Sequence, residues 1–226
     1  MKLIIFDLDQ TLVDSIEFHD RATVKIFRQF FGIEAHLTEV DLAGKSLTYN
    51  FSQLARLKGI HENIIQEKLL ELLLNYDRAF TELLPPNATE YVLPGAKSLL
   101  EKLTGTDNLI MLYTGDSPAV TNALLKVTKL DKYFKYSFYG TEVTHRSDMV
   151  WQAIAKAAEL ANKRFHDKDI VIIGDSLRDI ECGKEFNALV IAVATGFHSA
   201  AQLKELKPDY LFKSLRDSRK ILKAIG

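Results

Sequence analysis

Short apolar runs and longer amphipathic stretches alternate along most of this chain, and the apolar runs tend to end in polar residues. Leu3-Ile4-Ile5-Phe6 reads as a short strand buried on both faces, followed directly by Asp7-Leu8-Asp9-Gln10-Thr11. The pattern then takes a helical period. Asp14 or Ser15 can cap a helix whose apolar positions include Ile16, Ala22, Ile26, Phe27 and Phe31, and Gly32 ends it. No convincing strand follows until after Leu93. Helical patterns cover 47–57 and 64–84, and the clusters Leu69-Leu70 and Leu72-Leu73-Leu74 read as a buried helix face. Pro85-Pro86-Asn87 breaks the helix, and Pro94-Gly95 opens another with the proline near its first turn.

From Leu93 onward the two patterns alternate. Helical stretches at 96–103, 119–127, 148–160 and 179–186 precede apolar runs at 109–113, 136–139, 170–173 and 189–193. That order predicts an α/β protein, a Rossmann-like and mostly parallel sheet with crossover helices. An all-helical insert separates the first strand from the others. The expected division is a core of residues 1–14 and 93–226 and an inserted helical domain of residues 15–92.

Composition narrows the classes of function. The chain has 226 residues, 47% hydrophobic and 26% charged, which describes an ordinary globular protein. A formal net charge of -1 offers nothing to attract nucleic acid or an anionic membrane, and neither is expected as a partner. The one cysteine, Cys182, cannot form an internal disulfide and reads as core filler in a reducing compartment. Acidic residues come too early for a secretory leader, and no apolar run approaches the roughly 18 residues of a membrane helix. A cytoplasmic location is expected.

The candidate chemistry lies where strands end. Alternate strand residues point the same way, so Asp7 and Asp9 start on one side of the backbone. Two carboxylates that close need a cation or a shared proton. The run at 109–113 ends in Thr114-Gly115-Asp116, a hydroxyl and an unhindered N–H able to hold phosphate oxygens. The run at 170–173 ends in Gly174-Asp175-Ser176-Leu177-Arg178-Asp179, which supplies a second carboxylate pair. His19, His36, His61, His166 and His198 lack metal-ligand spacing and read as surface or capping residues.

Together these segments resemble the haloacid dehalogenase-like superfamily, mainly its aspartate-nucleophile phosphatases of the phosphoglycolate phosphatase and beta-phosphoglucomutase-like subgroup. Asp7-Leu8-Asp9-Gln10-Thr11 is similar to that family's first motif, Thr114 to its second and Gly174-Asp175 to Asp179 to its fourth. The helical insert is similar to the family's cap domain. The resemblance implies that Asp7 is the nucleophile, forming an aspartyl-phosphate. It implies that Asp9 is general acid and then general base, with a pKa near the working pH. Mg²⁺ would be held by the Asp7 carboxylate, the Asp9 main-chain carbonyl and Asp175, with Asp179 supporting from behind. Thr114 and the Gly115 N–H would hold phosphate oxygens.

Two positions depart from the family pattern. In place of its third-motif lysine the chain reads Val143-Thr144-His145-Arg146-Ser147-Asp148-Met149-Val150. Arg146 is the expected substitute and Ser147 the expected helix cap, with His145 a weaker alternative cation. Gln10 stands where the family commonly has glycine and can contact substrate. Lys45, in Gly44-Lys45-Ser46 of the insert, can meet a second anionic group on the substrate. The implied activity is a Mg²⁺-dependent phosphatase acting on a small phosphorylated metabolite. The alternatives are a sugar phosphomutase of the same superfamily and a non-catalytic binding module. Dehalogenase chemistry is disfavoured because it does not need the acid at Asp9.

Overall fold

The computed structural model describes residues 1–226. Six strands, β1 (Leu3–Phe6), β2 (Leu109–Thr114), β3 (Ser137–Tyr139), β4 (Ile170–Gly174), β5 (Leu189–Val193) and β6 (Tyr210–Phe212), form one sheet. Their order is β3-β2-β1-β4-β5-β6 and every pairing is parallel. β1 lies between β2 and β4, with Phe6 level with Leu112 on one side and Ile173 on the other. The strand order therefore reverses at β1, and the crevice beyond its carboxyl end is where such sheets carry ligands.

All four β1 residues are fully buried because each face of the strand meets its own core. Ile4 and Phe6 join the larger apolar cluster, while Leu3 and Ile5 join the one on the opposite face. Cys182 is buried in the second of these cores, as expected. No helix is long and apolar enough to cross a membrane.

Between β1 and β2 the chain is helical: α1 (Ile16–Phe31), α2 (Leu47–Leu57), α3 (Glu62–Leu83) and α4 (Ala96–Thr104). Gly32 ends α1 in the left-handed conformation at φ 67. The leucine clusters of α3 do not share one buried face. Leu72 is buried, whereas Leu70 and Leu74 are 71% and 60% exposed. One side of α3 packs on α1 and α2 and the other faces solvent, which hydrophobic runs alone do not reveal. At α4 the N-cap is Gly95, so Pro94 lies before the helix rather than in its first turn.

The remaining helices are α5 (Pro118–Thr128), α6 (Arg146–Ala161), α7 (Leu177–Glu185), α8 (Ala200–Glu205) and α9 (Ser218–Ile225). Ser147 does not cap α6. His145 occupies the N-cap and its N–H donates to the Asp148 carboxylate at 2.9 Å, so the helix begins two residues earlier, at Arg146. β6, α8 and α9 have no counterpart in the sequence reading. β6 has only three residues, none of them buried, which leaves little apolar signal.

Gly95 has a φ of 94, and its Cα lies against the backbone of Leu215 and Arg216, where a Cβ would overlap. Gly95→Ala combines left-handed strain with that overlap and should destabilise the protein by at least about 3 kcal/mol, read as a lower urea midpoint.

Candidate active site

β1 ends opposite Leu112 and Ile173, and β2 and β4 run only two and one residues further, so Asp7, Thr114 and Asp175 lie close together at the carboxyl edge of the sheet. The Asp7 N–H donates to the Ile173 carbonyl at 2.9 Å, which extends the β1 ladder to the carboxylate. The start of α6 delivers Arg146 to the same place. Its Nη2 donates to Asp7 Oδ1 and to Asp179 Oδ1, both at 2.6 Å. Its Nη1 reaches the Gly44 carbonyl at 3.3 Å, and the guanidinium lies 4.1 Å from the centre of the Tyr113 ring. Arg146 thus lies between the Asp7 and Asp179 carboxylates, while His145 lines the neighbouring groove.

Asp179 is fully occupied. Besides Arg146 it accepts from the Tyr113 hydroxyl at 2.5 Å, the Ser176 N–H at 2.8 Å and the Ser176 hydroxyl at 2.6 Å. Burial opposes its charge, but Arg146 and these donors hold its pKa below the ordinary carboxylate value. Asp7 and Asp175 are poorer in donors. The Thr11 hydroxyl lies 2.8 Å from Asp175 and 3.3 Å from Asp7. Burial and then the Asp179 charge raise the Asp7 pKa well above its usual value, against the pull of Arg146. Burial and Asp179 push Asp175 up to about 8. Gly196 passes so close to Asp175 that a Cβ there would overlap its carboxylate, an approach that only glycine allows.

Oxygens of Asp7, Asp175 and Asp179 all lie within 4.8 Å of one another. With Asp179 saturated, Asp7 and Asp175 are left with unshared lone pairs, an oxygen-only donor set suited to a hard divalent cation.

A second polar cluster surrounds Asp9. The Ser15 hydroxyl donates to Asp9, which is why it does not cap α1. Thr114 Oγ1 lies 3.3 Å from the other Asp9 oxygen. His19 is buried here, not at the surface or in a cap. Its Nε2 is 3.2 Å from Asp9 and 3.6 Å from Asp116, and its Nδ1 is 2.6 Å from the Tyr76 hydroxyl. Burial would lower the His19 pKa, yet Asp116 and Asp9 hold it up at about 9. The expectation of an Asp9 pKa near neutrality is not met. Burial acts upward, but the His19 charge and the surrounding hydrogen bonds bring Asp9 below its ordinary value. Asp116 is raised well above its ordinary value by burial and by the Asp9 charge.

The insert closes over both clusters. Gly115 gives its carbonyl to the Leu47 N–H at 3.0 Å, and a Cβ on Gly115 would strike the Lys45 carbonyl. The cavity between insert and core has a volume of about 60 Å³ and is lined by Asp7, Asp9, Asp116, Asp175 and Arg146 from the core. Lys45 also lines it, but its ammonium pairs with Asp41 at 2.8 Å. Gln10 lines it with φ 61, the left-handed conformation that glycine adopts freely, and its amide donates to Asp14 at 2.8 Å. The roles of Thr11, Tyr113, His19 and Asp116 were not read from sequence. Thr11 and Asp116 stood within recognised motifs, but His19 lies in an amphipathic helix and Tyr113 in an apolar run, each with partners far away in the chain.

His19 is raised from 6.5 to about 9, so the stability it contributes is complete below pH 6.5 and is lost as the pH rises to 9. His19→Gln should be less stable than the native chain at pH 6.5, and the gap should narrow by up to about 3 kcal/mol by pH 9. Urea unfolding in the presence of a chelator measures both.

A family model described as haloacid dehalogenase-like hydrolase matches residues 4–193. Pyrophosphatase PpaX of Listeria monocytogenes is 23% identical over 221 residues, 95% of this chain and 93% of that protein. Phosphoglycolate phosphatase of Synechococcus elongatus is 24% identical over 217 residues, 96% of this chain and 95% of that protein. Among solved structures, beta-phosphoglucomutase from Clostridium difficile superposes with a TM-score of 0.76 at 17% identity, over 100% of this chain and 97% of that one. With the sheet order, the carboxylate cluster and these relatives in agreement, the chain belongs to the haloacid dehalogenase-like hydrolase family, in its phosphatase subgroup.

Proposed function

We propose that the protein is a Mg²⁺-dependent phosphatase that hydrolyses a small phosphomonoester through an aspartyl-phosphate on Asp7. Residues 15–92 act as a cap on a core of 1–14 and 93–226. The observation that carries this reading is the convergence of Asp7, Asp9, Gly115, Arg146 and Asp175 on one cavity, with Thr114 behind it against Asp9.

The Asp7 carboxylate, the Asp9 main-chain carbonyl and Asp175 would hold the metal, and Asp175, whose side-chain donor is Thr11 alone, keeps lone pairs for that part. Bound there, Mg²⁺ offsets the negative charge of phosphate and nucleophile together. Asp179, saturated by its own donors, holds Arg146 in place.

Arg146 fixes the orientation of Asp7 and favours its anionic form. A free Asp7 oxygen attacks phosphorus as the bond to the leaving oxygen breaks. The proton for that oxygen comes from the Asp9–His19 pair, which holds one proton across 3.2 Å. A phosphate dianion beside Asp9 works against the lowering of its pKa and favours proton transfer from His19 to Asp9. In the second step Asp9 takes a proton from water, which attacks the phosphorus of the aspartyl-phosphate and regenerates Asp7. Thr114 and the Gly115 N–H hold the phosphate oxygens through both steps. A cap closed over the bound ester would exclude bulk water while admitting the one water that hydrolysis needs.

A screen of phosphomonoesters with Mg²⁺, scored for inorganic phosphate, tests the reading. Asp7→Asn should lower release by at least about 10³-fold, and Asp9→Asn should lower kcat by about 10²–10⁴-fold. Hydrolysis by Asp7→Asn at the native rate overturns the mechanism. Isomer interconversion without net phosphate release would favour the phosphomutase alternative instead.

A further inference from the structure

We infer that Tyr113 is a positioning residue for the reaction: its ring fixes the plane of the Arg146 guanidinium and its hydroxyl fixes Asp179, so that Arg146 keeps its bond to Asp7. This rests on the phosphatase reading and adds to it a side chain that touches no reacting atom. The need for such a residue follows from how Arg146 is held. Both of its carboxylate bonds leave one nitrogen, Nη2, for Asp7 Oδ1 and Asp179 Oδ1. Two bonds from a single nitrogen leave the guanidinium free to pivot about that nitrogen, unlike a bidentate pair. Nε has no hydrogen-bond partner, and the Nη1 bond to the Gly44 carbonyl is long at 3.3 Å and belongs to the insert. No hydrogen bond from the core sets the plane.

The Tyr113 ring does. The guanidinium carbon lies over it, 4.1 Å from its centre, where a flat cation is attracted to the ring face. Ring and cation are carried by rigid parts of the core. Tyr113 is fully buried near the end of β2, and Met149 and Val150, in the early turns of α6 after Arg146, lie in the same apolar cluster as the ring. The hydroxyl acts on the other partner. It donates to Asp179 Oδ1 at 2.5 Å, the oxygen that Arg146 also reaches, while Oδ2 takes both Ser176 donors. Without the hydroxyl, Asp179 Oδ1 would depend on Arg146 alone and draw it away from Asp7. Burial raises the Tyr113 pKa well above its ordinary value, against the pull of Arg146, so the phenol stays a donor. An apolar side chain would serve the core. A role in packing alone explains neither the ring beneath the cation nor the hydroxyl on the cation's partner.

A double-mutant cycle on p-nitrophenyl phosphate hydrolysis with Mg²⁺ tests this, using the native chain, Tyr113→Leu, Arg146→Lys and the pair. Tyr113→Leu should lower kcat by about 30-fold while KM changes by less than about threefold. In the Arg146→Lys background, whose ammonium has no plane to be held, the same change should cost less than about threefold. Equal losses in the two backgrounds, or a loss carried by KM, overturn the inference, since packing alone does not depend on the residue at 146. Tyr113→Phe keeps ring and volume and serves if Tyr113→Leu does not fold. Its kcat should fall about fivefold at unchanged KM, and a native kcat overturns the inference. A native chain that releases no phosphate overturns the phosphatase reading itself. Positioning is then read without substrate, from ¹⁵N NMR of the Arg146 Nε–H, assigned by its loss in Arg146→Lys. Hydrogen exchange at that group should be at least about tenfold faster in Tyr113→Leu than in the native chain, and equal exchange overturns the inference.

Discussion

One guanidinium, that of Arg146, makes this site compatible with a stable fold. Parallel register brings β1 and β4 to an end side by side, so Asp7, Asp175 and Asp179 are forced together where little water reaches them. Arg146 answers part of that charge with two 2.6 Å bonds from a single nitrogen and leaves oxygens of Asp7 and Asp175 unshared. Its position follows from a local detail. His145 and Asp148 cap α6 so that Arg146 is the first helical residue, aimed back at the sheet edge. Tyr113, below the guanidinium, donates to the same Asp179 and completes the support.

The second cluster ties the inserted helices to the core. His19 belongs to α1, yet its imidazole lies between Asp9 and Asp116 of the core. The other polar ties are the Leu47 N–H on the Gly115 carbonyl, Ser117 on Asp77 at 2.6 Å, and Arg146 on the Gly44 carbonyl. Apolar side chains of the insert such as Phe51, Tyr76 and Phe80 also join one buried cluster with Phe6 and Leu124 of the core.

The sheet was legible because β1, β4 and β5 are buried on both faces and so read as unbroken apolar runs. β6, short and without a buried residue, carries no such mark. The carboxylates at strand ends were legible for the same reason, since the motif begins where the apolar run stops. His19 was not, because a lone histidine in an amphipathic helix has no spacing that betrays a partner. Missing it also misplaced the pKa of Asp9, which the adjacent carboxylate alone would raise and the imidazolium lowers. The pairing of Lys45 with Asp41, one helical turn away, was open to view in the sequence, but its competition with an anionic substrate emerges only when both line one cavity.

The central claim is that Asp7 becomes covalently phosphorylated, and peptide mass spectrometry after acid quenching addresses it directly. In Asp9→Asn given p-nitrophenyl phosphate, whose leaving oxygen needs no acid, the second step lacks its base and a phosphoryl group should accumulate on the peptide carrying Asp7 within the first turnover. Hydrolysis of substrate with no phosphoryl group on that peptide at any time during turnover would contradict the account.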